Sequence, residues 1–296
     1  MNHTVISVQE LTKDYGVGRG VFDISLDIPE GEVFGYLGTN GSGKTTTIRH
    51  MMGFLKPGSG TVRVNGLDPW KRAPEVMKNV SYIPGEIAFP NLATGADFFR
   101  VQARYLNIKD FTYMNHLIDI LGLDPSANLK RMSKGMKQKT AIVAALMGDK
   151  EALILDEPTT GLDPLMRETF LELIHEEKKK GRTIFMSSHI FEELEDVCDR
   201  VGIIEDGKIR DILNLSEFRR STPRLFRITF KNTAAAQEFS RRVPVSVQEE
   251  TEVSVSAAAE ETDRIFKALY NLPVLAVNES HLNLEQYFMS TIRKKQ

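Results

Sequence analysis

The segment Gly38-Thr39-Asn40-Gly41-Ser42-Gly43-Lys44-Thr45, continued by Thr46, constrains this chain more than any other. It lies between a short apolar run, Val33-Phe34-Gly35-Tyr36-Leu37, and a helical stretch from Thr45 to Met52 that Gly53 ends. The order is therefore strand, glycine-rich turn, helix. Consecutive backbone N–H groups in such a turn form a concave nest for phosphate oxygens, and the helix directs its positive end at the same anion. Glycines are needed where the chain bends sharply and must lie against the ligand. In such a loop Lys44 reaches the β- and γ-phosphates of a nucleotide, and the Thr45 hydroxyl ligates Mg²⁺.

The rest of the chain supplies the frame for such a site. Ala152–Leu155, Thr183–Met186 and Val201–Ile204 read as buried strands, separated by helices over Leu165–Lys180 and Phe191–Val197. This alternation predicts an α/β fold with a parallel sheet and helices on both faces. Val5–Leu11 reads as a further strand, and Val21–Ile28 alternates so regularly that it reads as a half-exposed antiparallel strand, making the sheet mixed. Short strands follow at Thr61–Val64 and Val80–Ile83, and residues from about 94 to 147 form a helical subdomain. After Leu213 the texture changes: strands at Arg224–Phe230 and Val253–Ala257, helices at Asp263–Tyr270 and Leu282–Ile292. The expected domains are a nucleotide-binding domain over 1–213 and a small C-terminal α+β accessory domain over 214–296.

Composition bounds the function. With 41% hydrophobic residues in 296, a large core can form without metal or disulfide staples. A net charge of -2 gives no general electrostatic reason to expect nucleic acid as a partner. The single cysteine, Cys198, excludes an intrachain disulfide and reads as a small buried thiol. The start Met1-Asn2-His3-Thr4-Val5-Ile6 lacks the layout of a signal peptide, and no apolar run reaches the ~18–20 residues needed to cross a bilayer. The expected location is the cytoplasm, with any membrane role exerted through a partner. Trp70, in the loop Leu67-Asp68-Pro69-Trp70, is expected simply to pack.

Two further motifs carry chemistry. Ala152-Leu153-Ile154-Leu155 runs into Asp156-Glu157, at the strand end where such sheets place their ligands. Asp156 is suited to hold Mg²⁺, and Glu157 to orient or deprotonate an attacking water. Arg131-Met132-Ser133-Lys134-Gly135-Met136 opens a helix that Ser133 can cap, and Gly135 lets a second phosphate approach its N-terminus. One triphosphate does not need two such helix starts. The economical explanation is that Ser133 and Gly135 act on nucleotide held by a second copy of the protein.

From Val5 to Leu213 the chain resembles the nucleotide-binding subunit of ATP-binding cassette (ABC) transporters. Six elements follow the family's order. The resemblance implies that Tyr15 stacks on adenine and that the loop Gly38–Thr46 binds ATP. Ser133, Lys134 and Gly135 stand at the signature, and Asp156 and Glu157 at the metal and catalytic carboxylates. Gly161, Leu162 and Asp163 match the loop crossing a dimer interface, and His189 the histidine that contacts the γ-phosphate. It also implies Mg²⁺, an ATP-sandwich homodimer, and a separate membrane permease on whose cytoplasmic side the chain sits.

Two departures stand out. Lys134 and Met136 replace a glycine and the glutamine of the usual signature, a form similar to that of antibiotic exporters. Gly85, within Tyr82-Ile83-Pro84-Gly85-Glu86, stands where a glutamine normally touches Mg²⁺, leaving that contact to water or to Glu86. The rival class is a soluble cassette ATPase acting on ribosomes or DNA. The single phosphate loop and the lack of long coiled coils or a cysteine-rich zinc site disfavour it.

Overall fold

The computed structural model describes residues 3–221, 224–245, 247–258, 261–281 and 283–293. Met1 and Asn2 at the start of the chain, and Leu282 at the start of the closing helix read from the sequence, lie outside the described residues. The chain divides into two compact units, Met1–Leu213 and Asn214–Gln296.

The first unit holds strands β1 (Thr4–Asp14), β2 (Gly20–Pro29), β3 (Val33–Leu37), β4 (Ser59–Val64), β5 (Val80–Ile83), β6 (Ala152–Asp156), β7 (Thr183–Ser188), β8 (Arg200–Glu205) and β9 (Lys208–Asn214). Its helices are α1 (Lys44–Met51), α2 (Pro69–Asn79), α3 (Gly95–Tyr105), α4 (Thr112–Ile120), α5 (Lys134–Leu146), α6 (Pro164–Lys179) and α7 (Phe191–Val197). One sheet has the order β5-β6-β7-β3-β8-β9, and its pairings from β5 through β8 are parallel. A second, antiparallel sheet has the order β2-β1-β4. The mixed α/β architecture expected from the sequence is the one observed.

The continuous apolar runs become central strands for a physical reason. Every residue of β3, β6 and β7 is buried, so both faces of these strands need apolar side chains. By contrast β2 buries alternate residues, with Val21, Ile24, Leu26 and Ile28 turned inward. The two sheets and α1 share one core, in which Ile6, Ile24, Phe34, Tyr36, Ile48 and Phe185 are fully buried. Side chains of this size each stabilise by about 1.5–3 kcal/mol when withdrawn from water. The Phe34 and Phe185 rings stack at 5.9 Å across β3 and β7, fixing the strand from which the phosphate loop springs.

The helical block spans α3 to α5. Thr94 and Asp97 form a reciprocal capping box at the start of α3, and Ser133 caps α5 by accepting from Met136 N at 3.2 Å. The helix α2 was not legible beforehand. Asp68 caps it and Pro69 starts it, but Pro74 lies within it and Arg72 breaks helical geometry. Trp70 is therefore in the first turn of a helix and 46% exposed, not packed in a loop as the sequence suggested.

The second unit runs α8 (Leu215–Ser221), β10 (Arg224–Phe230), α9 (Thr233–Arg242), β11 (Val247–Glu249), β12 (Glu252–Ala257), α10 (Thr262–Ala268), β13 (Val274–His281) and α11 (Leu284–Arg293). The antiparallel order β11-β12-β10-β13 and the path β10-α9-β11-β12-α10-β13 make a split βαβ sandwich of the ferredoxin-like type. Phe226, Ile228 and Phe230 of β10 pack with Phe239 of α9 and Ile265 of α10 in its core.

Candidate functional site

The loop between β3 and α1 is shaped by glycines that tolerate no side chain. A Cβ at Gly38 would lie 2.4 Å from Ser42 Oγ and 2.5 Å from the Ile204 carbonyl oxygen, and Gly43 adopts φ +112° where it caps α1. Gly41 is likewise left-handed, with φ +84°. No side chain caps α1 and no acid lies in its first turn, so its N–H groups point at the loop interior. Lys44 Nζ donates to the Gly38 carbonyl at 2.7 Å and the Thr39 carbonyl at 3.1 Å, and pairs with Glu157 Oε1 at 3.1 Å. The buried hydroxyl of Ser42 has no hydrogen-bond partner among the described residues.

Two clefts meet over this loop. The first, about 510 Å³, is lined by Tyr15, Asn40, Gly41, Thr45, Thr46 and Glu157, among others. Tyr15 stands half exposed at its rim, 53% accessible, as a ring offered to a flat base would be. The second cleft, about 370 Å³, brings Thr45 together with Asp156, Glu157, Gly85, Glu86 and Arg49.

The carboxylates sit where β6 ends. Asp156 is fully buried; its Oδ1 accepts from Ser187 Oγ at 2.7 Å, whereas Oδ2 has no hydrogen-bond partner among the described residues. Glu157 turns the chain through a left-handed residue, φ +48°, with its N–H held by the Ser187 hydroxyl at 3.0 Å. Its Oε2 meets His189 Nδ1 at 3.0 Å and accepts from the Thr160 hydroxyl at 3.3 Å. Burial works to raise the Glu157 carboxyl, but the hydrogen bond and charge of Lys44, with His189, outweigh it and hold it below the usual carboxylate range. Ionised Glu157 is thus the favoured form, as a proton acceptor requires.

The orphaned Asp156 oxygen, with the Thr45 hydroxyl lining the same cleft, is a sparse set of hard oxygen donors. Mg²⁺ suits such a set, because it keeps water ligands and takes the rest from substrate phosphates. A Cβ at Gly85 would stand 3.2 Å from that Oδ2, so the glycine leaves the flank of Asp156 open, and the exposed Glu86 shares the cleft.

The signature residues lie apart from these clefts. Ser133 and Lys134 are exposed at the start of α5 and line neither. They adjoin the loop Gly161-Leu162-Asp163 of the same chain: a Cβ at Gly135 would lie 2.8 Å from the Gly161 carbonyl oxygen, and one at Gly161 would lie 2.9 Å from Lys134 Cγ. Within that loop Leu162 turns into the chain's own core, 7% exposed, and Asp163 caps α6 by accepting from Met166 N.

Sequence reading missed Ser187, Glu193 and Gln138. Glu193 is 1% exposed and accepts from both Thr159 and Ser188, while Gln138 Nε2 donates to the Pro158 carbonyl at 2.6 Å. Only the polar character of Ser187-Ser188 at the end of an apolar strand hinted at them.

A phosphate loop after β3, with paired carboxylates at the end of β6 in the same sheet, one strand removed across β7, defines a nucleoside-triphosphate hydrolase. Residues 21–160 match the family described as ABC transporter. Over 299 residues, 98% of this chain and 97% of the relative, the sequence is 31% identical to the bacitracin transport ATP-binding protein BcrA of Bacillus licheniformis. It is 29% identical to the linearmycin resistance ATP-binding protein LnrL of Bacillus subtilis, over 97% of each. A solved ATP-binding subunit of an ABC transporter superposes with a TM-score of 0.65 at 30% identity, covering 73% of this chain and 92% of that one. The chain belongs to the family of ABC transporter ATP-binding proteins and is an ATP-hydrolysing subunit of that type.

Proposed function

We propose that two copies of this chain pair head to tail, close over two ATP molecules, and drive export through a separate membrane subunit. One observation carries the reading. The helix start at Ser133, Lys134 and Gly135, whose N-terminal N–H groups suit an anion, borders neither cleft beside its own phosphate loop. A second copy supplies the missing phosphate. In this scheme residues 1–213 form the nucleotide-binding domain, with about 94–147 as its helical subdomain, and 214–296 are accessory.

Each side chain then has a task. Tyr15 stacks on the base, and Gly38, Thr39, Asn40, Gly41, Ser42, Gly43, Lys44 and Thr46 cradle the phosphates. Thr45 and Asp156 hold Mg²⁺, which when bound neutralises charge building on the β- and γ-phosphate oxygens. Glu157 orients the attacking water and takes its proton, and His189 contacts the γ-phosphate. The open flank at Gly85 is filled by water or by the Glu86 carboxylate. Gly161, Leu162 and Asp163 form the loop at the dimer interface, where Leu162 anchors the loop from within while Gly161 and Asp163 face out.

Among the described residues no helix is long and apolar enough to cross a membrane. In this reading the membrane-spanning path belongs to the partner, and the chain works on its cytoplasmic face. Relatives named for bacitracin transport and linearmycin resistance match over almost the whole chain, which supports an antibiotic-like, hydrophobic cargo. The test is Glu157→Gln in the full chain, followed by light scattering. ATP with Mg²⁺ should accumulate a dimer that ADP does not. A variant that stays monomeric at saturating ATP counts against the scheme.

A further inference from the structure

We infer that Glu193 is a positioning residue for hydrolysis, a buried carboxylate that sets Glu157 and His189 at their working separation; this rests on Glu157 acting on the attacking water. The geometry is specific. A single oxygen, Oε2, accepts from Thr159 Oγ1 at 3.0 Å and from Ser188 Oγ at 2.8 Å. Thr159 lies two residues beyond Glu157, and Ser188 immediately precedes His189. The other oxygen, Oε1, meets Arg167 Nε at 3.1 Å, and Arg167 belongs to the helix that Asp163 caps.

Each tether bears on a strained or exposed catalytic group. Glu157 sits at φ +48°, a conformation that a non-glycine residue keeps only when its surroundings over-determine it. Ser187 holds the near side of that turn through the Glu157 N–H, and Glu193 holds the far side through Thr159. Ser188 Oγ also accepts from Ile190 N at 3.0 Å, so the backbone on both sides of His189 is pinned to the same carboxylate. His189 itself is 46% exposed. Without Glu193 the segments that carry Glu157 and His189 lose the link through Thr159 and Ser188, and their 3.0 Å contact keeps only the local partners of Glu157, which are Lys44, Thr160 and Ser187. A buried carboxylate is costly unless paired and hydrogen-bonded. Burial does raise the Glu193 carboxyl above its usual value, against the pull of Ser188, Thr159 and Arg167. Packing alone would be served better by an apolar side chain.

The test measures ATP hydrolysis and nucleotide binding on the full chain. Glu193→Ala should lower kcat on the order of 10–100-fold, the scale of a misplaced catalytic group, while ATP affinity stays within about two-fold. Glu193→Gln keeps a carbonyl oxygen for both hydroxyls and should recover most of that loss. Thr159→Val removes one tether at constant shape; it should lower kcat about ten-fold and be non-additive with Glu193→Ala. Unchanged kcat in Thr159→Val and Glu193→Ala, strictly additive losses, or equal loss of kcat and ATP affinity would each overturn the inference. Should Glu193→Ala not fold, Thr159→Val and Glu193→Gln decide alone: normal kcat in the former, or a loss in the latter matched by lost affinity, overturns it. Glu157→Gln assayed alongside keeps the underlying reading separate, since hydrolysis surviving there refutes the role of Glu157.

Discussion

Replacing Ser187 by alanine probes whether the buried Asp156 is held as a metal ligand. The Ser187 hydroxyl donates to Asp156 Oδ1 at 2.7 Å, and both residues are fully buried, so water cannot take its place. Asp156 Oδ2 already lacks a partner among the described residues, which leaves the alanine variant with a buried carboxylate and no side-chain donor. A hydrogen bond to a charged group is worth roughly 1.5–3 kcal/mol, so the deficit should be about 2 kcal/mol. The Glu157 N–H is not orphaned, because the Ser187 carbonyl still lies 3.2 Å away. For a unit of this size that deficit corresponds to a fall in Tm on the order of 4–8 °C.

The assay must report on the first unit alone, because a chain of two units need not unfold in one step. Trp70 provides it, being the single tryptophan and lying in α2. Urea unfolding followed by its fluorescence should show the deficit with ATP and EDTA, and a smaller deficit with ATP and Mg²⁺, which gives Asp156 a new partner. A variant within about 0.5 kcal/mol of the parent would place Ser187→Ala among neutral surface changes and refute the reasoning. An equal deficit with and without Mg²⁺ would refute the metal assignment.

Two other outcomes follow from the same geometry. The folded-state carboxyl of Glu157 lies below its ordinary value of 4.5, so its contribution to stability is present above that pH and is lost as pH falls through the lowered value. The stability gap between parent and Glu157→Gln should therefore be flat near neutrality and shrink below about pH 4.5, and a gap that is constant down to pH 3 in urea melts would contradict the Lys44 pairing. Gly135→Ala would bring a methyl to 2.8 Å from the Gly161 carbonyl oxygen. Overpacking of about 1–3 kcal/mol should exceed the 0.5–1 kcal/mol that alanine gains over glycine in a helix, and a stabilised variant would show that the start of α5 and the Gly161 loop are not in contact as described.

What could be read from the sequence was what is local. The phosphate loop, the strand ending in Asp156-Glu157 and the helix start at Ser133 each declare themselves within ten residues, because turn chemistry and capping act over that range. The same holds for the alternating β2, for β3, and for the apolar run Ala152–Leu155 of β6. The helix α2 was hidden by Pro69 and Pro74, which usually argue against a helix interior. The strand β13 carries Asn278, Glu279 and Ser280, so no apolar alternation marked it. Contacts such as Gln138 to Pro158 or Glu193 to Thr159 were illegible for a different reason. The first joins α5 to the turn after β6, and the second joins the segments that follow β6 and β7, which the sheet order sets side by side.

The pairing of Lys44 with Glu157 bears most directly on how hydrolysis is timed. The Lys44 side chain is 5% exposed, and its ammonium is satisfied by two loop carbonyls and by Glu157 Oε1. Triphosphate oxygens compete for that same ammonium, and their greater charge favours them. On the proposed function, Lys44 turning toward phosphate would loosen its hold on Glu157, freeing a carboxylate lone pair for water on the side where the γ-phosphate would arrive. His189 remains on the other oxygen and keeps the group oriented. Binding and arming of the proton acceptor are then one event, which makes hydrolysis conditional on a triphosphate. The signature at Ser133 adds a second condition. It lies outside both clefts of its own chain, and in the proposed dimer closure over the γ-phosphate would wait for another copy. On the proposed function, a loop that binds nucleotide alone would become a catalyst only when both demands are met, and the energy of hydrolysis would be released where the dimer can use it.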